Sequence, residues 1–141
     1  MRHIHWNDIT VAGVNKVAEI SGLAESPLED FTLRNVVVTA ARSGLRCANA
    51  KDVTLEGIRL PAIPSPAVEV QNVSNLEIIG LVSAPVENSP VISFKAVNDA
   101  LLSECDVRQG SGVLLGLVGD ANEKIVFERN RLGPDIKERS P

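Results

Sequence analysis

Aromatic residues are nearly missing from this chain of 141 residues, which has one tryptophan, three phenylalanines and no tyrosine. Gripping neutral sugars by ring stacking needs exposed aromatic faces, so the sequence supplies that mode of binding poorly. Cysteine is also scarce. Cys47 and Cys105 are too few for a disulfide scaffold and lack both C-x-x-C and Cys/His zinc spacing, so both are expected to be buried thiols, with no metal and no cofactor. No apolar run reaches the ~18 residues of a membrane helix, so no membrane partner is expected. Met1-Arg2-His3-Ile4-His5 lacks the apolar core of a secretory signal, which places the chain as written in the cytoplasm. A basic excess is missing too: 14 Lys and Arg stand against 18 Asp and Glu, a net charge of −4 that argues against a nucleic-acid partner.

What is present is a composition of 44% hydrophobic and 23% charged residues, which fits one globular domain over residues 1–141. The chain also repeats itself. The pattern polar, apolar, any, apolar, any, small or polar, apolar fits Asp30-Phe31-Thr32-Leu33-Arg34-Asn35-Val36. It recurs from His3, Asp52 and Asn75, and more weakly from Asp99 and Lys124. Its first apolar positions are 4, 31, 53, 76, 100 and 125, so successive units differ by 27, 22, 23, 24 and 25 residues. A second apolar element keeps pace: Ala18-Glu19-Ile20, Leu45-Arg46-Cys47, Val68-Glu69-Val70, Ile92-Ser93-Phe94 and Val113-Leu114-Leu115.

Two strands in so short a unit exclude the helical repeats, which need about 33 residues or more. The physical solution is an all-β fold, a parallel β-helix of about six coils, each stacked on the next at roughly 4.8 Å. Ile4, Phe31, Val53, Leu76, Ala100 and Ile125 are then one inward column, and Trp6, Leu33, Leu55, Ile78, Leu102 and Phe127 another. Residues 94–105 also carry Phe94, Val97, Leu101 and Cys105 at helical spacing, but the repeat register runs through them and Asn98-Asp99 falls on a turn.

The stretch "ISGLAESPLEDFTLRNVVVTA", with "CANAKDVTLEGIRL" and Pro66-Ala67-Val68, resembles the C-terminal coils of family 28 glycoside hydrolases, the polygalacturonase-like pectin-degrading enzymes. "RHIHWNDITVAG" is similar to the coil before them, and the likeness covers about residues 2–72. The resemblance implies a right-handed parallel β-helix, a galacturonate-containing substrate hydrolysed with inversion, and a secreted or periplasmic origin. The family's catalytic motifs, Asn-Thr-Asp, Asp-Asp, Gly-His-Gly and Arg-Ile-Lys, lie upstream of the matched coils and do not occur in this sequence. The resemblance therefore supplies no catalytic residue. It implies that the chain corresponds to the latter part of such an enzyme.

Inverting hydrolysis uses two carboxyl groups about 6.5–9.5 Å apart. Outward positions of the first strand put Glu56 and Glu77 on adjacent coils, the candidate acid and base, with His5 and Arg34 nearby. The competing reading is that both are solvated surface glutamates. Arg34, Arg46, Arg59 and Lys95 are candidates to hold an acidic polysaccharide by charge-assisted hydrogen bonds, with His5 as a further substrate-binding candidate beside Arg34. Arg46 also lies between Glu19 and Glu69 in a cross-strand charge ladder. His3 and His5 with Asp8 would suggest a metal, but no third ligand of the right kind is specified. "GSGVLLGLVGD" has phosphate-loop glycines but no Lys-Ser/Thr, and reads as a coil turn.

The first coil reads as uncapped, which predicts a homo-oligomer through it, whereas residues 132–141 form a polar tail or cap. The leading reading is a pectin-associated β-helix without catalytic activity. The others are a glycoside hydrolase with a site formed differently, including one assembled at an oligomer interface, and the functionless product of an incomplete gene.

Overall fold

The computed structural model describes residues 2–11, 14–22, 25, 27–39, 41–61, 66–84, 90–107, 112–119, 122–134 and 136–139. These residues form strands and turns, with no helix among them. The strands are β1 (Arg2–Val11), β2 (Val14–Ser21), β3 (Leu28–Val38), β4 (Ala41–Arg59), β5 (Val68–Ile79), β6 (Pro90–Ser103), β7 (Asp106–Val107), β8 (Gly112–Val118), β9 (Glu123–Glu128), β10 (Arg131–Leu132) and β11 (Ile136–Arg139).

All pairings are parallel. One ladder runs β1-β3-β4-β5-β6-β9 and puts Ile4, Phe31, Val53, Leu76, Ala100 and Ile125 in register, with Trp6, Leu33, Leu55, Ile78, Leu102 and Phe127 two residues on. These are the columns read from the repeat. A strand's side chains alternate between faces, so a column of like residues buries as one unit. Phe31, Val53, Leu55, Leu76 and Ile78 are buried.

The second ladder runs β2-β4-β5-β6-β8-β11. Here one assignment is corrected: Phe94 pairs with Leu117, and Leu115 pairs with Ile92, two residues from the alignment expected of Val113-Leu114-Leu115. A slip of two keeps the same faces inward, so the hydrophobic pattern alone did not distinguish the registers. A short third side carries Arg59, Val82, Asp106 and Arg131 in register. The result is a β-solenoid of about four turns among the described residues. The 94–105 segment lies in β6 and continues to Cys105 without helix. Residues 136–139 of the polar tail add a rung beside β8.

Long strands bend around the solenoid at left-handed residues. Asp8, Asn35, Gly57, Gly80, Glu104 and Arg129 form one column of positive φ, Asp30, Asp52, Asn75, Asp99 and Lys124 a second, and Asn49, Asn72, Ala96 and Gly119 a third. Glycine, Asn and Asp tolerate this conformation best, which explains the polar and small residues that punctuate the repeat. Side-chain amides tie the corners together: Asn35 Nδ2 donates to Asp8 Oδ1 at 3.1 Å, Asn75 Nδ2 to Asp52 Oδ1 at 2.6 Å, and Asn72 Nδ2 to Asn49 Oδ1 at 2.8 Å. No buried side-chain nitrogen or oxygen among the described residues lacks a partner.

Candidate functional site

The outward face of the first ladder holds Thr32, Thr54, Glu77, Leu101 and Val126 in one column, with Arg34, Glu56, Ile79, Ser103 and Glu128 in the next. Glu77 stands opposite Thr54, and Glu56 opposite Ile79, so the two carboxylates are diagonal neighbours in different columns. Arg34 Nε donates to Glu56 Oε2 at 3.0 Å, with the two side chains 51% and 40% exposed. Glu77 is exposed. Neither carboxylate has the apolar enclosure by which proteins prepare a carboxyl group as a proton donor.

His5 lies opposite Thr32 by register, but the side chains of His3 and His5 fall outside the described residues. Asp8 accepts from Asn35. Among the described residues no group of three metal-ligating side chains converges. Arg46 donates through Nη1 to Glu19 Oε1 at 2.9 Å and through Nη2 to Gln71 Oε1 at 3.4 Å. Arg34 and Arg46, two of the candidates to hold an acidic polymer, are therefore engaged by neighbouring coils. In "GSGVLLGLVGD", Gly112–Val118 is strand β8, and residues 110, 111 and 120 lie outside the described residues.

The two thiols are buried, as expected. Burial pushes Cys47 up to about 12. Cys105 is pushed up to about 11 by burial, with the Leu81 backbone hydrogen bond acting in the opposite sense. Neither thiol is prepared as a nucleophile.

Two concavities were not found by reading the sequence. The first is an open cleft of about 480 Å³ on the short third side, lined by Gly80, Val82, Glu104, Asp106, Arg129 and Arg131. Three successive coils contribute two residues each, and the small Gly80 and Val82 leave a step beside the charged pairs. The backbone under it is continuous: Gly80 N–H donates to Ser103 O, Asp106 N–H to Leu81 O and Arg131 N–H to Cys105 O. Arg129 Nε lies 3.7 Å from Glu104 Oε1, and Arg131 stands in register with Asp106. The available signal was the alignment of residues 80 and 82, 104 and 106, and 129 and 131 in the last units, where small, acidic and basic pairs succeed one another.

The second is a groove of about 350 Å³ whose lining includes Lys51, Asn72, Ser74, Ala96 and Asn98. It opens where a corner ladder stops. Asn49 Nδ2 donates to Gly22 O and Asn72 Nδ2 to Asn49 Oδ1, but the next corner is Ala96, which has no amide to continue the chain.

No protein-family model and no curated protein matches this chain. Among solved structures, the fold is similar to that of a protein from Parabacteroides merdae described as a "putative glycosyl hydrolase". The TM-score is 0.56 at 11% identity, covering 93% of this chain and 77% of that one. At that identity the likeness is one of fold.

Proposed function

We propose that this chain is a polysaccharide-associated β-solenoid that binds an acidic, pectin-like glycan without cleaving it. The observation that carries the reading is the charged cleft, where Arg131 and Arg129 border a floor of Gly80 and Val82. A guanidinium offers a planar fork of donors that matches a carboxylate, and the small floor admits a sugar ring beside it. The likeness in fold to the protein described as a "putative glycosyl hydrolase" and the sequence resemblance to the C-terminal coils of pectin-degrading enzymes, which wind right-handed, support the substrate class. The exposed, diagonal placement of Glu56 and Glu77, with Glu56 held by Arg34, supports binding without hydrolysis.

The test is binding of the purified chain to polygalacturonate, rhamnogalacturonan and neutral glucans, with product release measured in parallel. The expected result is retention by the acidic polymers alone, weakened by salt and by Arg131→Ala, with no new reducing ends. Equal binding to neutral glucans, or none to any polymer, overturns the reading.

A hydrolytic reading is favoured by one observation: Glu104 and Asp106 border the same cleft. Oligosaccharide release abolished by Glu104→Gln or Asp106→Asn would establish it. Release abolished by Glu56→Gln or Glu77→Gln would instead place the chemistry on the first-ladder face.

A further inference from the structure

We propose that the solenoid associates head to tail with a second copy of itself, β1 of one copy adding to β9 of the next as one more parallel rung. This goes beyond the carbohydrate reading and does not depend on it. The first ladder ends in β1 on one side and β9 on the other. β1 is ten residues long, contains no proline, and has one neighbouring strand among the described residues. An edge of that length is a template for another strand.

Side chains at both ends carry the core columns out into solvent. Trp6 is 48% exposed, although its ring meets the edge of Phe31 with centroids 5.5 Å apart. At the other end Ile125, Phe127 and Leu132 pack on the core while remaining only partly buried.

The second copy fits because the register inside the chain dictates what meets what. If β1 follows β9 as every strand of the ladder follows the one before it, Phe127 meets Trp6 and Ile125 meets Ile4 of the next copy. In the left-handed corner column, Arg129 already lies over Glu104, and Asp8 of the next copy takes its other side, so the charges alternate. By the same register Glu123 falls opposite Arg2 of the next copy. One pair opposes the contact: Lys137 meets Lys16, where Lys137 is exposed and open to screening by salt.

A two-fold contact between two β1 strands is less well matched. It would pair them antiparallel, unlike every rung of the solenoid, and leave the β9 edge uncovered. A head-to-tail contact is heterologous and does not close on itself, so wild-type protein forms open chains.

Sedimentation of the full chain over a concentration series is the test, together with the emission of Trp6, the single tryptophan. The expected result is an average mass rising above the 15.1 kDa monomer, with a blue shift of emission as chains form. Trp6→Glu blocks one end and Phe127→Glu the other, so each variant alone is expected to be a monomer. Their equimolar mixture is expected to give a dimer and nothing larger, because each partner then has a single open end. A wild-type monomer at every concentration overturns the proposal. So does continued association of Phe127→Glu alone, which is the outcome of contact between two β1 ends. If circular dichroism shows that Phe127→Glu has lost its strands, Arg129→Asp replaces it. That variant is expected to weaken wild-type association at least ten-fold, and association at wild-type strength overturns the proposal.

Discussion

The coils from Leu28 to Val82 and those from Pro90 to Arg139 turn the same corners with different residues. In the first region the left-handed positions include Asp30, Asn35, Asn49, Asp52, Gly57, Asn72, Asn75 and Gly80, types that accept positive φ. In the second, Ala96, Glu104, Lys124 and Arg129 hold the same conformation with φ of 50–56°. A residue without special tolerance costs roughly 1–2 kcal/mol there. The corner is therefore imposed by stacking: a strand hydrogen-bonded in register to its predecessor must bend where the predecessor bends, whatever residue occupies the position.

The two regions also differ in how they use asparagine. Early corners join amide to side chain, as Asn75 does to Asp52 and Asn72 to Asn49, although Asn49 itself donates to the Gly22 carbonyl. In the last coil the amides stand in for backbone: Asn122 Oδ1 accepts from Val97 N–H while its Nδ2 donates to Phe94 O, and Asn130 does the same with Cys105 N–H and Leu102 O. These two side chains continue the ladder at the corners, where no strand pairing is present. Together with the partly buried Ile125 and Phe127, this distinguishes the last coil from the fully packed middle coils, as a region with fewer buried contacts to hold it closed.

The contrast is broken most severely by the same substitution on either side of it. Phe31 in the first region is buried, and Phe31→Ala is expected to cost about 4 kcal/mol, whereas Phe127→Ala in the last coil is expected to cost less than half as much. Urea unfolding of both variants checks this, and equal losses would show that the end coil is as tightly packed as the first region.

Gly44 tests close approach in the earlier coils. A Cβ placed there would lie 1.9 Å from Ala67 O, in backbone that already accepts from Leu45 N–H. Gly44→Ala is expected to cost about 3 kcal/mol, read as a lowered urea midpoint. Gly119 in the later coils has nothing within 4 Å of its Cβ position, so its constraint is the positive φ alone.

The corner argument is sharpened by gains. Ala96→Gly and Lys124→Gly are each expected to stabilise by about 1 kcal/mol, while Asn72→Ala is expected to destabilise by a similar amount. A loss at Ala96 would mean that backbone entropy outweighs the relief of the corner.

The smallest effect at neutral pH concerns the thiols, one in each region. Both folded values lie above the ordinary value of 9.0, so their stabilising contribution is intact below pH 9. It declines as pH rises from 9 toward 11 for Cys105 and toward 12 for Cys47, because the unfolded chain releases its protons first. Alkylation by iodoacetamide at pH 8 is expected only after unfolding in urea.

Much of the solenoid was legible because a parallel ladder sets each residue on its own repeat. Ile4 to Ile125 and Trp6 to Phe127 could be read as columns by spacing alone, and the ladder reproduces both. The pairing of Phe94 with Leu117 was not legible, since Leu115 and Leu117 lie on the same face and satisfy the same alternation. Nor was the engagement of Arg34 and Arg46. Outward positions tolerate almost any polar residue, so their pattern does not say whether a charge meets a ligand or the coil beside it.

The sequence by itself determined the period, the inward faces and the polar or small residues at most corners, because burial and left-handed backbone each restrict residue type locally. Only the tertiary structure decided that Ala96, Glu104, Lys124 and Arg129 also turn corners, that Glu56 is spoken for by Arg34, and that a cleft opens above Gly80 and Val82. Those outcomes depend on what lies one coil away, some 22 to 27 residues along the chain. Stacking supplies that neighbour, and no local preference of the residue itself does.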